Sequence, residues 1–387
     1  MNNRNILILI VLGMVLLAAA PAAQAGLHCL PIIVEDPKLI KPEQLKPNAT
    51  FHISVPVLGK DTHRTRGHPT DVAMSVHLPE NYDPKRAHPV IVHLGGGQDE
   101  RKFVGRWQSI TGNKDFIVML AGFTSMLTSG PRNASQMVRV LEAATPIKHG
   151  AVILAGISSG SWGMHGNFRP QFYDRGYVDT FDAFIFIAGD NERDVIVTKD
   201  KLRGRPALFV GGNTGGAFAI QKKTSEEIAA AGGDATFIPM MHHYSDFSRD
   251  VDPKIMDWIK TKVLARQDKY DAFDKKLSAA TKGDDYIDLL KDALPHWYGK
   301  CVAMTKYLTM AQQESDAGKR SAMLAKLKDI PNLPKTTGGQ YQEALKWLKT
   351  QSGYEALVKT LALCNPFLDP IPGYFNGYAP GTNFRTR

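Results

Sequence analysis

Ala151-Val-Ile-Leu-Ala-Gly156-Ile-Ser158-Ser-Gly160-Ser-Trp162-Gly163 is the stretch that decides the fold. It opens as an apolar run of strand length, turns through Gly156-Ile157-Ser158-Ser159-Gly160, and continues as a short helix-like segment. A G-x-S-x-G sequence behind a strand and ahead of a helix is a nucleophile elbow, with its serine on a tight corner. Glycine is needed on both sides because a side chain there would meet the neighbouring strand or cover the serine. Ser158 is thereby expected at the N-terminus of a helix, whose dipole favours developing negative charge. The five-residue pattern alone is also produced by plain Gly/Ser turns. The strand before it, a glycine-rich loop upstream and histidines downstream make it specific.

Outward from this stretch the chain alternates. Phe51, Ile53, Val55 and Val57 repeat with period two in Thr50–Leu58, and Val72, Met74, Val76 and Leu78 do so in Asp71–Leu78, which predicts two strands. Pro79–Pro89 reads as a turn-rich hairpin connection. Val90–His93 reads as a buried strand leading into Leu94-Gly95-Gly96-Gly97. Further strands are expected at Phe116–Ala121, Phe184–Ala188, Pro206–Val210 and Ala235–Met240, and helices at Ala134–Ala144, Ala217–Ala231 and Pro253–Val263. This rhythm predicts an α/β fold: a mainly parallel sheet with helices on both faces and an antiparallel pair near the N-terminus. Ligands of such sheets sit at the carboxyl ends of the strands. Gly95–Gly97, Gly189-Asp190-Asn191, Gly211–Gly216 and His242–Asp246 all follow predicted strands and fall on that edge.

The 387 residues, 43% of them hydrophobic, suffice for one large domain and a smaller one. Residues 1–25 combine an early Arg4, an apolar run from Ile6 to Ala20 and an A-x-A ending, the pattern of a secretory signal peptide cleaved after Ala25. The expected location is secreted or periplasmic, and no later stretch is apolar enough to span a bilayer. Residues 26–49 read as a proline-rich extended lead-in, 50–263 as the sheet domain, and 264–387 as a helical extension with an irregular tail. In the extension, Tyr286, Leu289, Leu290 and Ala293 fall at helical spacing, as do Tyr341, Ala344, Leu345 and Leu348, then Tyr354, Leu357, Val358 and Leu361. Cys29, Cys301 and Cys364 allow one disulfide in an exported protein. Cys301 with Cys364 would staple the extension, pairing of Cys29 with either is the alternative, and three thiols are a third reading. The formal charge of +9 is interspersed rather than blocked, which fits attraction to anionic envelope polymers and supplies no nucleic-acid motif.

The chemistry follows from the order glycine-rich loop, serine, histidine. A serine hydroxyl becomes a nucleophile when a base takes its proton, and the resulting oxyanion needs fixed N–H donors. Ser158 supplies the hydroxyl. The Ser159 N–H is one donor, and the backbone at Gly95 and Gly96 is the expected source of the second. The base is expected after the last strand, at His243, with His242 as the alternative. A P-loop would need Gly-Lys-Ser/Thr after the glycines, and a zinc protease would need H-E-x-x-H. Neither is present, and no metal or cofactor is implied.

Leu78-Pro79-Glu80-Asn81-Tyr82-Asp83-Pro84, Pro89-Val-Ile-Val-His93, Gly95-Gly96-Gly97, the elbow at Ser158 and His243 together resemble the α/β-hydrolase esterases. The exported esterase and polyhydroxybutyrate-depolymerase-like branch is the nearest in pattern. The resemblance spans about Thr50 to Val263 and leaves the extension uncovered. It implies an α/β-hydrolase fold and cleavage of a small or polymeric carboxylic ester through an acyl-enzyme on Ser158. A peptidase can share that fold. Two departures stand out. The chain has His93-Leu94-Gly95 where the family has His-Gly-Gly. The loop Gly211-Gly-Asn213-Thr214-Gly-Gly216, where the family's acid normally sits, has no carboxylate. Asp190 after the preceding strand is the preferred acid, with Asn213 as an uncharged alternative and Asp246 behind both. The missing carboxylate also supports a reading from another class: a non-catalytic, degenerate hydrolase that binds an envelope polymer or protein partner.

Overall fold

The computed structural model describes residues 39–56, 71–95, 100–121, 134–135, 137–138, 140–166, 168, 177–189, 197–212, 216–240, 249–331, 333–334 and 339–361. Eight strands form one sheet: β1 Thr50–Pro56, β2 Asp71–His77, β3 His88–Leu94, β4 Ile117–Ala121, β5 Ile147–Ile157, β6 Ala183–Ile187, β7 Ala207–Gly212 and β8 Ala235–Met240. Their order across the sheet is β1-β2-β4-β3-β5-β6-β7-β8. β1 and β2 are antiparallel, as is the β2–β4 pair, and every pair from β4 through β3 to β8 is parallel.

The alternation of strands and helices therefore folds as expected, with one correction. Pro79–Pro89 does not make a hairpin, because β4 lies between β2 and β3. The connection is tied down at the base of the sheet instead. Tyr82 Oη shares a 2.7 Å hydrogen bond with Thr145 Oγ1, and the Asp83 N–H donates to His88 Nε2 at 3.1 Å.

The central strands are almost wholly apolar because both faces are covered. One face carries Val92, Leu154, Phe184, Phe186 and Phe209 against the helical residues 140–144, α2 (Ser159–Gly166) and α3 (Gly216–Ala230), which contribute Leu141, Met164 and Ile228. The other carries Ile91, Ile153, Ile185 and Leu208 against α1 (Glu100–Thr111) and α4 (Asp252–Trp258), through Trp107, Ile255 and Trp258.

No loop separates the sheet domain from the helices beyond it. α4 runs through a π turn at Ile259–Val263 and a 3-10 turn at Leu264–Arg266 straight into α5 (Gln267–Ala279). α6 (Gly283–Lys291), α7 (Trp297–Gln313), α8 (Ala317–Lys326), α9 (Gly339–Lys349) and α10 (Glu355–Leu361) follow. Tyr286, Leu289, Leu290, Tyr341, Ala344, Leu345, Leu348, Leu357 and Leu361 share one buried cluster there, separate from the two on the sheet. Ala293 instead lies exposed, past the end of α6. Cys301 is buried in α7, while Cys29, Cys364 and the expected signal peptide lie outside the described residues. Among the described residues no helix is long and apolar enough to cross a membrane.

The extension docks on the edge of the sheet opposite Ser158. β5 bulges near its start, where pairing with β3 slips between His88 and Val90. Gly150 sits in the bulge at φ 87°, and Asp182 Oδ2 accepts from the Gly150 and Val152 N–H groups at 2.8 and 3.0 Å. The Tyr270 ring of α5 lies so close that a Cβ on Gly150 would be 2.6 Å from it. Gln267 Nε2 donates to the His149 carbonyl at 3.0 Å, and the His149 ring stacks on Tyr298 at 4.0 Å. Ser158 lies eight residues further along the strand, roughly 26 Å away at about 3.3 Å per residue.

His149 makes this seam sensitive to pH. Burial opposes its charge, but the 3.3 Å pair with Glu142 and the negative charges of Glu142, Asp182 and Asp274 outweigh it and raise its pKa. A raised histidine contributes stability in full below its unfolded pKa of about 6.5 and loses it as pH climbs through the folded value. The stability difference between wild type and His149→Gln, measured by urea unfolding, should accordingly be largest below about pH 6.5 and shrink toward pH 9. A difference that is constant or grows with pH would contradict this.

Candidate active site

Ser158 follows β5 directly and has φ 53°. Left-handed backbone costs a non-glycine residue about 1–2 kcal/mol, so its neighbours must hold it there. The Ser158 N–H donates to the Ile187 carbonyl at 2.9 Å, extending the β5–β6 ladder into the corner. A Cβ on Gly156 would come within 2.6 Å of the Gly160 carbonyl group and 2.7 Å of Met164 Sδ. A Cβ on Gly160 would run into the Leu94 carbonyl oxygen and lie 3.3 Å from that of Gly95. Both glycines of the motif are thus required by close backbone approach, and α2 begins immediately at Ser159. Ser158 itself is only partly buried.

The same contact brings Leu94-Gly95 to the serine. β3 and β5 are adjacent, with Leu94 paired to Gly156, so Leu94-Gly95 meets the start of α2 beside Ser158 and Ser159. Gly95 is buried. Gly96, Asp190, Asn213, His242, His243 and Asp246 lie outside the described residues. The strand ends that precede them are described: Gly189 after β6, Gly212 at the end of β7 and Met240 at the end of β8. β5, β6, β7 and β8 are parallel neighbours, so those ends lie along one edge, with β8 about 14 Å from β5 at about 4.8 Å per strand.

Two buried histidines near the elbow are not bases. His93 packs between Phe103 and Trp107, and His165 of α2 packs on Phe186. Among the described residues neither has a hydrogen-bond partner at either ring nitrogen, and burial lowers each pKa to about 3. Both rings are fully buried, which leaves them no access to a substrate. Among the described residues, no group of three or more His, Cys, Asp or Glu is placed to hold a metal ion.

Sequence reasoning missed the second strained corner. Ala188 has φ 45°, and its N–H donates to the Val210 carbonyl at 2.8 Å. The remaining left-handed non-glycine residues among those described are Asn48, Asn113 and Arg203. Asparagine tolerates that region, and Arg203 ends the short helix Lys199–Leu202. Only Gly189-Asp190 hinted at something special after β6. Nothing in the sequence singles out Gln221, whose Nε2 donates to the Gly189 carbonyl at 2.9 Å.

A mainly parallel eight-stranded sheet, covered on both faces and carrying a strained serine at a strand-to-helix corner, is the α/β-hydrolase fold. No family model matches the sequence. No curated protein sequence matches it either. Solved structures similar to this chain include the S-formylglutathione hydrolase of Staphylococcus aureus (14% identity, 55% of this chain and 98% of that one, TM-score 0.39). A hyperthermophilic esterase from the archaeon Pyrobaculum calidifontis is also similar (12%, 56% and 86%, TM-score 0.40). So is a fungal esterase from Rhizomucor miehei (13%, 64% and 96%, TM-score 0.42).

The close approach at Gly160 yields a sharp expectation. Gly160→Ala must push α2 away from Leu94, a clash of the kind that costs about 1–3 kcal/mol or more. The variant should melt several degrees lower. A Gly160→Ala protein with wild-type melting would contradict the packing described.

Proposed function

We propose that this chain is an exported serine hydrolase that cleaves a carboxylic ester, with Ser158 as nucleophile, His243 as general base and Asp190 as triad acid. The observation that carries the reading is the left-handed Ser158, held against Ile187 and beside the Leu94-Gly95 backbone. Strained non-glycine backbone concentrates at functional sites, where the surrounding structure over-determines it. A protein that only bound a polymer would have no need of this corner, which favours the enzyme over the degenerate, binding-only reading.

In this mechanism Ser158 Oγ attacks the ester carbonyl carbon while His243 takes the hydroxyl proton. The tetrahedral oxyanion is held by the Ser159 N–H and by backbone at Gly95 and Gly96, with the positive end of α2 adding a favourable field. Collapse expels the alcohol, protonated by His243, and leaves the acyl group on Ser158. Water, deprotonated by the same histidine, then attacks the acyl carbon, and the carboxylic acid leaves as the Ser158 hydroxyl is restored. Asp190 orients the imidazole and stabilises its cation. The charge that an imidazolium needs supports Asp190 over Asn213, which has none. The docked edge of the extension supports a substrate entrance that α5 does not cover.

Hydrolysis of a short-chain aryl ester by the mature protein tests the assignment. Ser158→Ala should remove turnover by about 10⁴-fold or more with the melting temperature retained. Asp190→Asn should lose about 10²–10⁴-fold, and Asn213→Ala little. Wild-type rates in Ser158→Ala would end the proposal, and loss confined to Asn213→Ala would move the acid's role there.

A further inference from the structure

Three polar side chains are fully buried on the face of the sheet that carries α2 and α3. Ser161 and His165 lie one turn apart on α2, and Gln221 lies on α3. Two of them converge on Gly189, the residue that joins β6 to Asp190. From α2, Ser161 fills the space beside the Gly189 Cα so completely that a Cβ there would overlap Ser161 Cβ and Oγ. From α3, Gln221 Nε2 donates to the Gly189 carbonyl at 2.9 Å. The elbow touches the same residue, since a Cβ on Gly189 would lie 3.0 Å from the Ser158 carbonyl oxygen. Ala188, just before it, is left-handed and bonded to Val210 of β7. The backbone at Ala188-Gly189 is thus gripped by α2, α3, β7 and the elbow together.

Packing alone does not account for these side chains. Among the described residues, Ser161 Oγ and Gln221 Oε1 are buried without a hydrogen-bond partner. Unpartnered buried polar atoms are destabilising, an apolar group of the same shape would fill the place of Ser161 at lower cost, and Gln221 offsets its bare oxygen only through its bond to Gly189. Their placement around a strained corner points to a functional constraint on that corner.

We propose that Ser161 and Gln221 are positioning residues, which grip Gly189 from two helices and so fix the direction in which the chain leaves β6 beside Ser158 toward Asp190. The inference rests on Asp190 being the triad acid. A carboxylate that orients an imidazole acts through a directional hydrogen bond, and small displacements of the group that bears it are costly to rate. His165 supplies a control from the same helix. It is buried and unpartnered like Ser161, but it packs on Phe186 rather than on Gly189.

The test compares Gln221→Met, Ser161→Ala and His165→Phe, with Asp190→Asn in parallel, on a short-chain aryl ester across pH, with thermal melting of each. Gln221→Met should lower kcat roughly tenfold to a hundredfold with KM nearly unchanged. It should also move the acid limb of kcat/KM to lower pH, because the imidazolium has lost part of its carboxylate support. Ser161→Ala, which deletes a single atom and decides the matter if Gln221→Met does not fold, should shift both quantities in the same direction by less. His165→Phe should change melting without moving the acid limb. Wild-type kcat and acid limb in Ser161→Ala and Gln221→Met, whatever their melting temperatures, would overturn the proposal. If Asp190→Asn is impaired in that case, the acid assignment stands without the grip. If Asp190→Asn is itself unaffected, both fall.

Discussion

The close approach of Gly160 to the Leu94 carbonyl is the contact on which the carboxyl edge of the sheet depends. It lets α2 start hard against the end of β3, which places Leu94-Gly95 beside the serine. Ser158 is left-handed at that corner, and its hydrogen bond to Ile187 fixes the corner from the other side. The strain of about 1–2 kcal/mol at Ser158 is small beside the apolar burial of β3, β5, β6 and β7. The core can therefore hold an unfavourable backbone angle where the chemistry needs it.

The two edges of the sheet do different work. The carboxyl edge carries the strained corners at Ser158 and Ala188 and the strand ends from which the candidate acid and base depart. The opposite edge carries charge and docking. Asp179, buried there, binds Arg203 and Arg205 at 2.6 and 2.7 Å, and Arg203 lies over Trp297 at the start of α7. His149, Tyr270 and Tyr298 close the seam. The extension has a buried core of its own and meets the sheet at the start of β5, roughly 26 Å of strand from Ser158.

The fold was legible in the sequence because its strongest signals are local. Strand periodicity in Thr50–Leu58, the unbroken apolar runs of the central strands and the elbow itself are written in consecutive residues. Strand order was not. Pro79–Pro89 has every mark of a hairpin, and only the insertion of β4 beside β2 excludes it. The site was half legible for the same reason. Ser158, Ser159 and Gly95 are flagged by glycines that tight backbone demands. Gln221 sits in an ordinary amphipathic helix, and its role depends on a carbonyl 32 residues earlier in the chain. The left-handed angle at Ala188 carries no compositional mark, because alanine is not a residue that normally occupies it. The buried, neutral His93 and His165 show the converse: residue type suggests chemistry, and environment withdraws it.

The most direct measurement is intact and peptide mass spectrometry of the protein after exposure to a fluorophosphonate. The account predicts a single stoichiometric adduct on the peptide containing Ser158, formed faster as pH rises through the titration of the base. No adduct, or an adduct on another serine with Ser158 untouched, would contradict the claim that this strained corner presents an activated nucleophile.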